Sequence, residues 1–458
     1  MELFSPADRR PVHFVGIGGA GMSALASIAC RRGVAVTGCD SDPGGAADLA
    51  ALGVEIREGH SPAHIDGVRA VVVTAAVPME HPELRRAREL GVPVVPRKAA
   101  LAELVAGRRL VAAAGTHGKT TTTVMATEAL TAAGLNPTGL AGGRVSSWGG
   151  NARLAGDDLF VVEADEFDQA FLTLHPTVAI VNNVEADHLE CYGSLAALED
   201  AFAEFAGRAE TVLVGADDAG AARIAARVRH TRVWRFGTDV GSDLRITNVR
   251  QEAELTSAEI LFPDGKHGTL RLRVPGLHNV RNATGALGAV MALGGDVHRA
   301  IEALGEFRGV GRRFDRLGEA GGVAIVDDYA HHPSELVATL AAARQAYPGR
   351  RLVAVFQPHL YSRTQQHGAA MGLALAAADV VVVTEVYAAR EQPIAGVSGR
   401  QVADAATDAG ATTFFESDRA ALGARVASVL RAGDVVLTLG AGDITRLGPE
   451  LAARLRAA

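Results

Sequence analysis

Lysine is almost missing from this chain of 458 residues: Lys98, Lys119 and Lys266 are the only three. Arginine supplies nearly every other positive charge, so a lysine kept at a particular place has a chemical reason rather than a compositional one. Cysteine is as scarce, and Cys30, Cys39 and Cys191 fall in no metal-ligand spacing. That excludes a disulfide framework and points to reduced thiols in a cytoplasmic protein. An excess of positive charge is lacking too. The net charge of −7 argues against non-specific nucleic-acid binding, which needs a basic face. No apolar run approaches the roughly 18 residues of a membrane span, and the opening Met1–Pro6 is not expected to act as a signal peptide. Low-complexity segments and internal sequence repeats are also absent.

What is present is a pattern of short apolar strands alternating with helices, the signature of α/β folds with parallel sheets. At this length about two to four domains are expected. A first block carries strands at Val12–Ile17, Val34–Cys39, Val54–Ile56, Ala70–Ala76 and Gly91–Pro96, closed by a helix at Leu101–Ala106. A second begins at Arg109 and adds strands at Leu159–Glu163, Val178–Val181 and Val212–Val214. Between about 233 and 274 the turn residues Pro263-Asp264-Gly265 predict an antiparallel hairpin, followed by helices at His278–Leu293 and His298–Phe307. A third block has strands at Val323–Asp327, Leu352–Phe356, Val380–Thr384 and Val435–Leu439. The expected domains are therefore 1–106, 107–313 and 314–458.

Lys119 stands in Ala-Gly-Thr-His-Gly-Lys-Thr-Thr (114–121), between a β-branched strand and a helix. Strand, Gly-rich loop and helix together aim free N–H groups and the helix dipole at an anion. Gly115, Thr116, Gly118, Lys119, Thr120 and Thr121 are thus expected to hold the phosphates of a nucleotide, with a Thr hydroxyl on Mg²⁺. One departure is Ala113, which stands where the common P-loop spacing puts Gly.

An earlier loop, Gly16-Ile17-Gly18-Gly19-Ala20-Gly21, also follows a strand and precedes a helix. Asp40 ends the next strand, nineteen residues past Gly21. Taken alone this matches the dinucleotide fingerprint, with Asp40 on a ribose hydroxyl, and keeps an NAD-dependent enzyme in view. The glycines themselves say only that backbone amides approach a diphosphate, which UDP-sugars also carry.

Glu163-Ala164-Asp165-Glu166-Phe167-Asp168 lies at the carboxyl end of a strand, the edge where ligands bind in such sheets. Four carboxylates beside a phosphate loop suit Mg²⁺, with Glu163, directly off the strand, the foremost candidate. Asn182–His188 ends another strand and offers Asp187 and His188 to the same space. In the third block Asp327–Pro333 and Phe356–Arg363 follow strands and supply Tyr329, His331, His332, His359 and Arg363, a polar rim for an anionic substrate.

With these motifs in order along essentially the whole chain, the sequence resembles the Mur ligases, ATP-dependent amide-bond enzymes of peptidoglycan synthesis. The resemblance runs through Gly16–Ser23, Gly115–Thr121, Glu163–Asp168, Asn183–His188, Gly276–Asn279, Asp327–Pro333, Phe356–Thr364 and Tyr387–Ser398. It implies a UDP-binding N-terminal domain, a central ATPase and a C-terminal Rossmann-like domain. It implies that Gly18, Gly19, Ala20 and Gly21 hold the UDP diphosphate. It implies Lys119 and Thr120 on the ATP phosphates and Mg²⁺, and Glu163 and His188 as further metal ligands. Asn279 and Asn282 would lie near the adenine and Asp328 near the ribose, while Tyr329, His331, His359 and Arg363 would face the reacting groups.

Within the family the pattern is most similar to members that join L-alanine to UDP-N-acetylmuramate. Sister enzymes that add D-glutamate or a diamino acid use a carbamylated lysine, and no lysine lies between Lys119 and Lys266. A soluble monomer or homodimer is expected. Phe167 and Thr74-Ala75-Ala76 depart from the family pattern in ways expected to change local packing. Leu360 replaces a frequent Arg, which leaves Arg363 as the stronger candidate contact.

Overall fold

The computed structural model describes residues 2–229, 232–389 and 391–457; Arg390, inside the Tyr387–Ser398 stretch, lies outside them. Three sheets organise the chain. In the first, β1 (Val12–Val15), β2 (Val36–Asp40), β3 (Glu55–Glu58), β4 (Ala70–Val73) and β5 (Val94–Pro96) run parallel in the order β3-β2-β1-β4-β5. Side chains alternate across a strand. Val12, Phe14, Val36, Ala70 and Val72 therefore enter one large core, and Val15, Cys39, Val71 and Val73 a smaller one with Leu84 and Ala87. The strand expected over Val12–Ile17 stops at Val15 because Gly16 turns with φ +80°. The helix expected at Leu101–Ala106 instead spans Arg97–Val105 and starts directly after β5. That early start places Arg97 and Lys98 at the carboxyl edge of the sheet.

The second sheet has ten strands: β6 (Arg109–Ala114), β7 (Thr138–Val145), β8 (Gly150–Arg153), β9 (Leu159–Glu163), β10 (Val178–Val181), β11 (Thr211–Gly215), β12 (Arg232–Gly237), β13 (Leu244–Gln251), β14 (Thr256–Leu261) and β15 (His267–Leu272). Their order is β15-β14-β13-β12-β11-β10-β6-β9-β7-β8. β6, which feeds the lysine loop, is flanked by β9 and β10 in parallel, so the loops after all three leave the same edge. β7 and β8 form an antiparallel pair that the sequence did not suggest, since Gly139, Gly142 and Gly143 lower strand propensity. Gly139 is sterically required there, because a Cβ would lie 2.5 Å from Thr127 Oγ1. The single hairpin expected after 233 is a run of four strands. β12 and β13 pair in parallel, and the turn at 263–265 is closed by Phe262 N–H donating to Lys266 C=O at 2.8 Å.

The third sheet comprises β16 (Asp315–Ala320), β17 (Val323–Asp328), β18 (Leu352–Phe356), β19 (Val380–Thr384), β20 (Thr412–Glu416) and β21 (Val435–Leu439), in the order β16-β17-β21-β18-β19-β20. Only β16, at the edge, is antiparallel. The interior strands are buried on both faces and read as continuous apolar runs, as parallel strands do. By compactness the chain forms two units. One takes residues up to Asn248 with Ala258–Arg271 and Val280–Phe307; the other takes Val249–Ser257, Leu272–Asn279 and Arg308 onward.

Candidate active site

In the first unit, β6 delivers the chain into Gly115 (φ +133°) and Gly118 (φ +79°), conformations that L side chains rarely adopt. Neighbours leave no room either. A Cβ on Gly115 would sit 3.1 Å from Asn183 backbone atoms, and one on Gly118 would sit 2.7 Å from Asn282 Oδ1. The loop is fastened to the segment after β10: Thr116 N–H donates to Asn183 C=O at 3.1 Å and His117 N–H to Asn183 Oδ1 at 2.7 Å. Glu185 N–H donates to Thr116 Oγ1 at 2.9 Å. Gly118 caps the helix Lys119–Ala132, and Thr120 and Thr121 are buried in its first turn. Asn282 is thus brought to the loop. Asn279, one turn earlier on the helix Leu277–Ala292, donates to Pro275 C=O at 2.7 Å.

Lys119 folds back over its own loop. Its Nζ donates to Gly115 C=O at 2.7 Å, to Thr116 C=O at 3.2 Å and to Glu166 Oε1 at 2.9 Å. Burial works against the ammonium, but the Glu166 and Asp165 carboxylates outweigh it and hold Lys119 above the ordinary lysine range. Glu166 is buried, which pushes its carboxyl up against the pull of Lys119, and its Oε2 has no hydrogen-bond partner. A cation or donor that reaches this atom would be stabilised there.

Glu163 ends β9, and its Oε1 accepts the Gly142 N–H at 2.5 Å. A Cβ on Gly142 would meet Glu163 Oε2 at 2.6 Å, so the glycine run in β7 lets backbone approach this carboxylate. His188 adopts φ +53°, and its ring lies edge-on to Phe167 with centroids 5.2 Å apart. The Phe that departs from the family pattern therefore orients a candidate metal ligand. Thr120 at the start of a helix, Glu163 at the end of β9 and His188 after β10 all lie toward the edge where β6, β9 and β10 end. This oxygen-rich donor set, next to the unpartnered Glu166 Oε2, fits a hard divalent cation bound together with phosphate oxygens.

The first glycine loop is built differently. Gly18 N–H donates to Asp40 Oδ2 at 2.9 Å, and a Cβ on Gly18 would lie 2.8 Å from Asp42 C=O. Asp40 thereby anchors the loop's own backbone. Gly19 precedes the helix Ala20–Arg31 without a side-chain cap, leaving the loop's cap to backbone amides alone. A Cβ on Gly21 would lie 2.8 Å from Arg97 Nη1, and Arg97 Nη2 reaches Asp165 Oδ2 at 3.2 Å. Lys98 Nζ pairs with Asp168 Oδ2 at 2.8 Å. Arg97, Lys98 and Gly142 were not singled out in the sequence, and Glu166 entered it only as one of four carboxylates. The rarity of lysine was a usable signal for Lys98, as was the position just past a strand end for Arg97.

The second unit collects the polar rim. Tyr329 and His331 meet edge-on at 5.2 Å, His331 and His359 at 6.1 Å, and His359 stacks on Tyr387 at 5.8 Å. Buried Arg363 places Nη1 3.3 Å from His359 Nδ1. Arg312 and Arg313 both lie over the Tyr329 ring at 4.8 Å. His332 accepts from Ser334 N–H and caps the helix Pro333–Ala346, a structural role. Asp328 is buried and accepts Phe314 N–H and Ala330 N–H, each at 2.7 Å; burial pushes its carboxyl up from 3.8 to about 6. Leu360 is buried at φ +69°, ψ 135°, a strained conformation directly between His359 and the helix that carries Arg363.

Three family models cover the chain in order: Mur ligase family, catalytic domain, over residues 11–109; Mur ligase middle domain over 113–290; and Mur ligase, glutamate ligase domain, over 312–442. The UDP-N-acetylmuramate–L-alanine ligase of Streptomyces griseus is 45% identical, with 97% of each chain covered. Among solved structures, UDP-N-acetylmuramate-alanine ligase from Thermotoga maritima matches with a TM-score of 0.84 and 31% identity, covering 98% of this chain and 99% of that one. A murein peptide ligase from Psychrobacter arcticus matches with a TM-score of 0.76 and 26% identity, covering 98% and 99%.

Proposed function

The chain belongs to the Mur ligase family, and from that membership we propose that it joins L-alanine to the lactyl carboxylate of UDP-N-acetylmuramate, with ATP converted to ADP and phosphate. The observation that carries the reading is Lys119, held as a buried ammonium over a loop whose glycines tolerate no side chain. A retractable cation over a nest of amides suits a phosphoryl group in transfer.

In this reading residues 1–106 hold the UDP-sugar, 107–313 the ATP, and 314–458 complete the site in a cytoplasmic enzyme. Gly18, Gly19, Ala20 and Gly21 meet the diphosphate, with Asp40 setting the loop. Gly115, Thr116, Gly118, Thr120 and Thr121 cradle the ATP phosphates, and Asn279, Asn282 and Asp328 flank the nucleoside. Thr120, Glu163 and His188 would hold Mg²⁺, which neutralises charge on the phosphate oxygens.

A free carboxylate is a poor acylating group, so a leaving group must be supplied. The lactyl oxygen attacks the γ-phosphorus, giving an acyl phosphate and ADP, while Lys119 leaves its two carbonyls to follow the phosphate charge. The alanine amine then attacks the acyl carbon, and the tetrahedral intermediate expels phosphate. Tyr329 and Arg363 orient the anionic partners, and His331 or His359 accepts the amine proton.

The test is phosphate release by the purified protein with ATP, UDP-N-acetylmuramate and L-alanine, omitting each in turn. Dependence on all three is expected. Release with an L-alanine-containing tripeptide but not with L-alanine would replace this reading with that of a peptide ligase.

A further inference from the structure

The smaller core of the first sheet ends in a polar cluster that the proposed chemistry does not use. His13 on β1 and Cys39 on β2 share one face of the sheet, because His13 pairs with Thr37 and Val15 with Cys39 in the parallel register. The helix Pro82–Leu90 packs on that face and inserts Glu83 from its first turn, and the turn Pro62–Ile65 adds His64. Glu83 has no solvent exposure, yet three donors bond it and two more imidazoles stand close by. Cys39 Sγ lies 3.2 Å from both its oxygens, His64 Nδ1 2.7 Å from Oε1, and Ser61 N–H donates to Oε1 at 3.0 Å. His60 Nδ1 stands 3.6 Å from Oε2 and 3.3 Å from Cys39 Sγ, and His81 Nδ1 stands 3.8 Å from Oε2.

Two features are unexplained by hydrogen bonding alone. His13 is fully buried with Nδ1 2.9 Å from Thr37 Oγ1, while its Nε2 has no partner at all. Buried His81 Nδ1 likewise makes no hydrogen bond. A metal-ligating histidine typically uses one ring nitrogen for the ion and is oriented through the other, which is the arrangement of His13. Glu83 itself is a carboxylate with no solvent exposure, set among thiol and imidazole groups.

We propose that His13, Cys39, His64 and Glu83 form a structural site for a zinc-class divalent cation, with His60 and His81 beside it. One donor atom from each of the four lies within 4.8 Å of all the others, near the spacing of a tetrahedral thiolate–imidazole–carboxylate set. The ligands are spread over some seventy residues, so no sequence spacing announces them. His60, the most exposed of the group, marks the way in from solvent. On binding, a metal–sulfur bond forms, and the Cys39 thiol proton passes to solvent through the Glu83 carboxylate it already faces. Cys39 C=O accepts Gly16 N–H at 2.8 Å and Ile17 N–H at 3.1 Å, so the ion would stiffen the first glycine loop from behind.

The experiment is titration of tag-free, chelator-treated protein with Co²⁺ under excess Mg²⁺, followed by absorbance. A thiolate-to-cobalt charge-transfer band with four-coordinate d–d bands is expected, saturating near about one equivalent. Zn²⁺ should abolish both. Cys39→Ser should lose the charge-transfer band, and His64→Gln should weaken cobalt affinity about 10–100-fold. Absence of the band in the wild-type protein, or its survival in Cys39→Ser, would overturn the site. Should Cys39→Ser fail to fold, an unchanged cobalt affinity in His64→Gln would overturn it equally.

Discussion

Two glycine loops in one chain, each between a parallel strand and a helix, are made for different work. The loop at Gly16–Gly21 has no cation of its own. Its backbone is pinned by Asp40, and the nearest positive charge, Arg97, comes from another element. The loop at Gly115–Lys119 carries its cation inside, folded on its own carbonyls and held by buried Glu166. Backbone amides at a helix start suffice to hold a diphosphate that stays intact. A phosphoryl group that is transferred requires charge that moves with it, and only a lysine fits so tight a loop. The motif pattern is common to both loops, and in the proposed reading their chemistry differs by where the cation sits.

The strongest way to break this contrast is Lys119→Ala. Turnover is expected to fall about 10³-fold with the KM for UDP-N-acetylmuramate nearly unchanged, and Lys119→Arg should not rescue it. A variant that kept most of its ligase rate would end the distinction.

Glycine substitutions sharpen it next. Gly16 (φ +80°) and Gly118 (φ +79°) store the same backbone requirement. The added methyl would find only Thr74 Cγ2 at 3.5 Å in the first case, and Asn282 Oδ1 at 2.7 Å in the second. Gly16→Ala should cost about 1–2 kcal/mol of stability in thermal unfolding. Gly118→Ala should in addition raise the KM for ATP about tenfold or more by displacing Asn282.

Arg97→Ala should raise the KM for UDP-N-acetylmuramate about tenfold and leave that for ATP within about twofold. An equal effect on both substrates would mean that Arg97 acts through Asp165 and not on the diphosphate.

The smallest effect separates two buried acids. Glu166 has an ammonium at 2.9 Å, whereas Asp328 has the charge of Arg313 and two backbone amides, which burial outweighs. A folded carboxyl raised to about 6 keeps its proton where the unfolded chain, near 3.8, has lost it. Stability of the second unit should therefore fall as pH rises from about 4 to 6, and stay at the lower level above that. In Asp328→Asn that slope should flatten in unfolding curves taken across the window.

Much of this was legible in the residues. The strands Leu352–Phe356, Val380–Thr384 and Val435–Leu439 lie where apolar, β-branched runs placed them, because strands buried on both faces need no partner pattern to be recognised. Both glycine loops and the acids after β9 were equally plain. Strand ends were not: Gly16 stops β1 by a backbone angle that a propensity window averages away. The β7–β8 pair was hidden because its glycines serve close approach to Thr127 and Glu163, a tertiary need. Arg97 became a candidate only once the sheet edges put it beside the loops, the pairing of Glu166 with Lys119 emerged only from the fold, and the contact of Phe167 with His188 only once the two rings were seen together.

The central claim is that the second loop drives transfer of a phosphoryl group to a carboxylate. It is tested most directly by running the reaction with UDP-N-acetylmuramate carrying ¹⁸O in the lactyl carboxylate and analysing the phosphate by mass. The account predicts that one carboxylate oxygen appears in the released phosphate, as an acyl phosphate requires. Phosphate free of the label, alongside amide product, would contradict it.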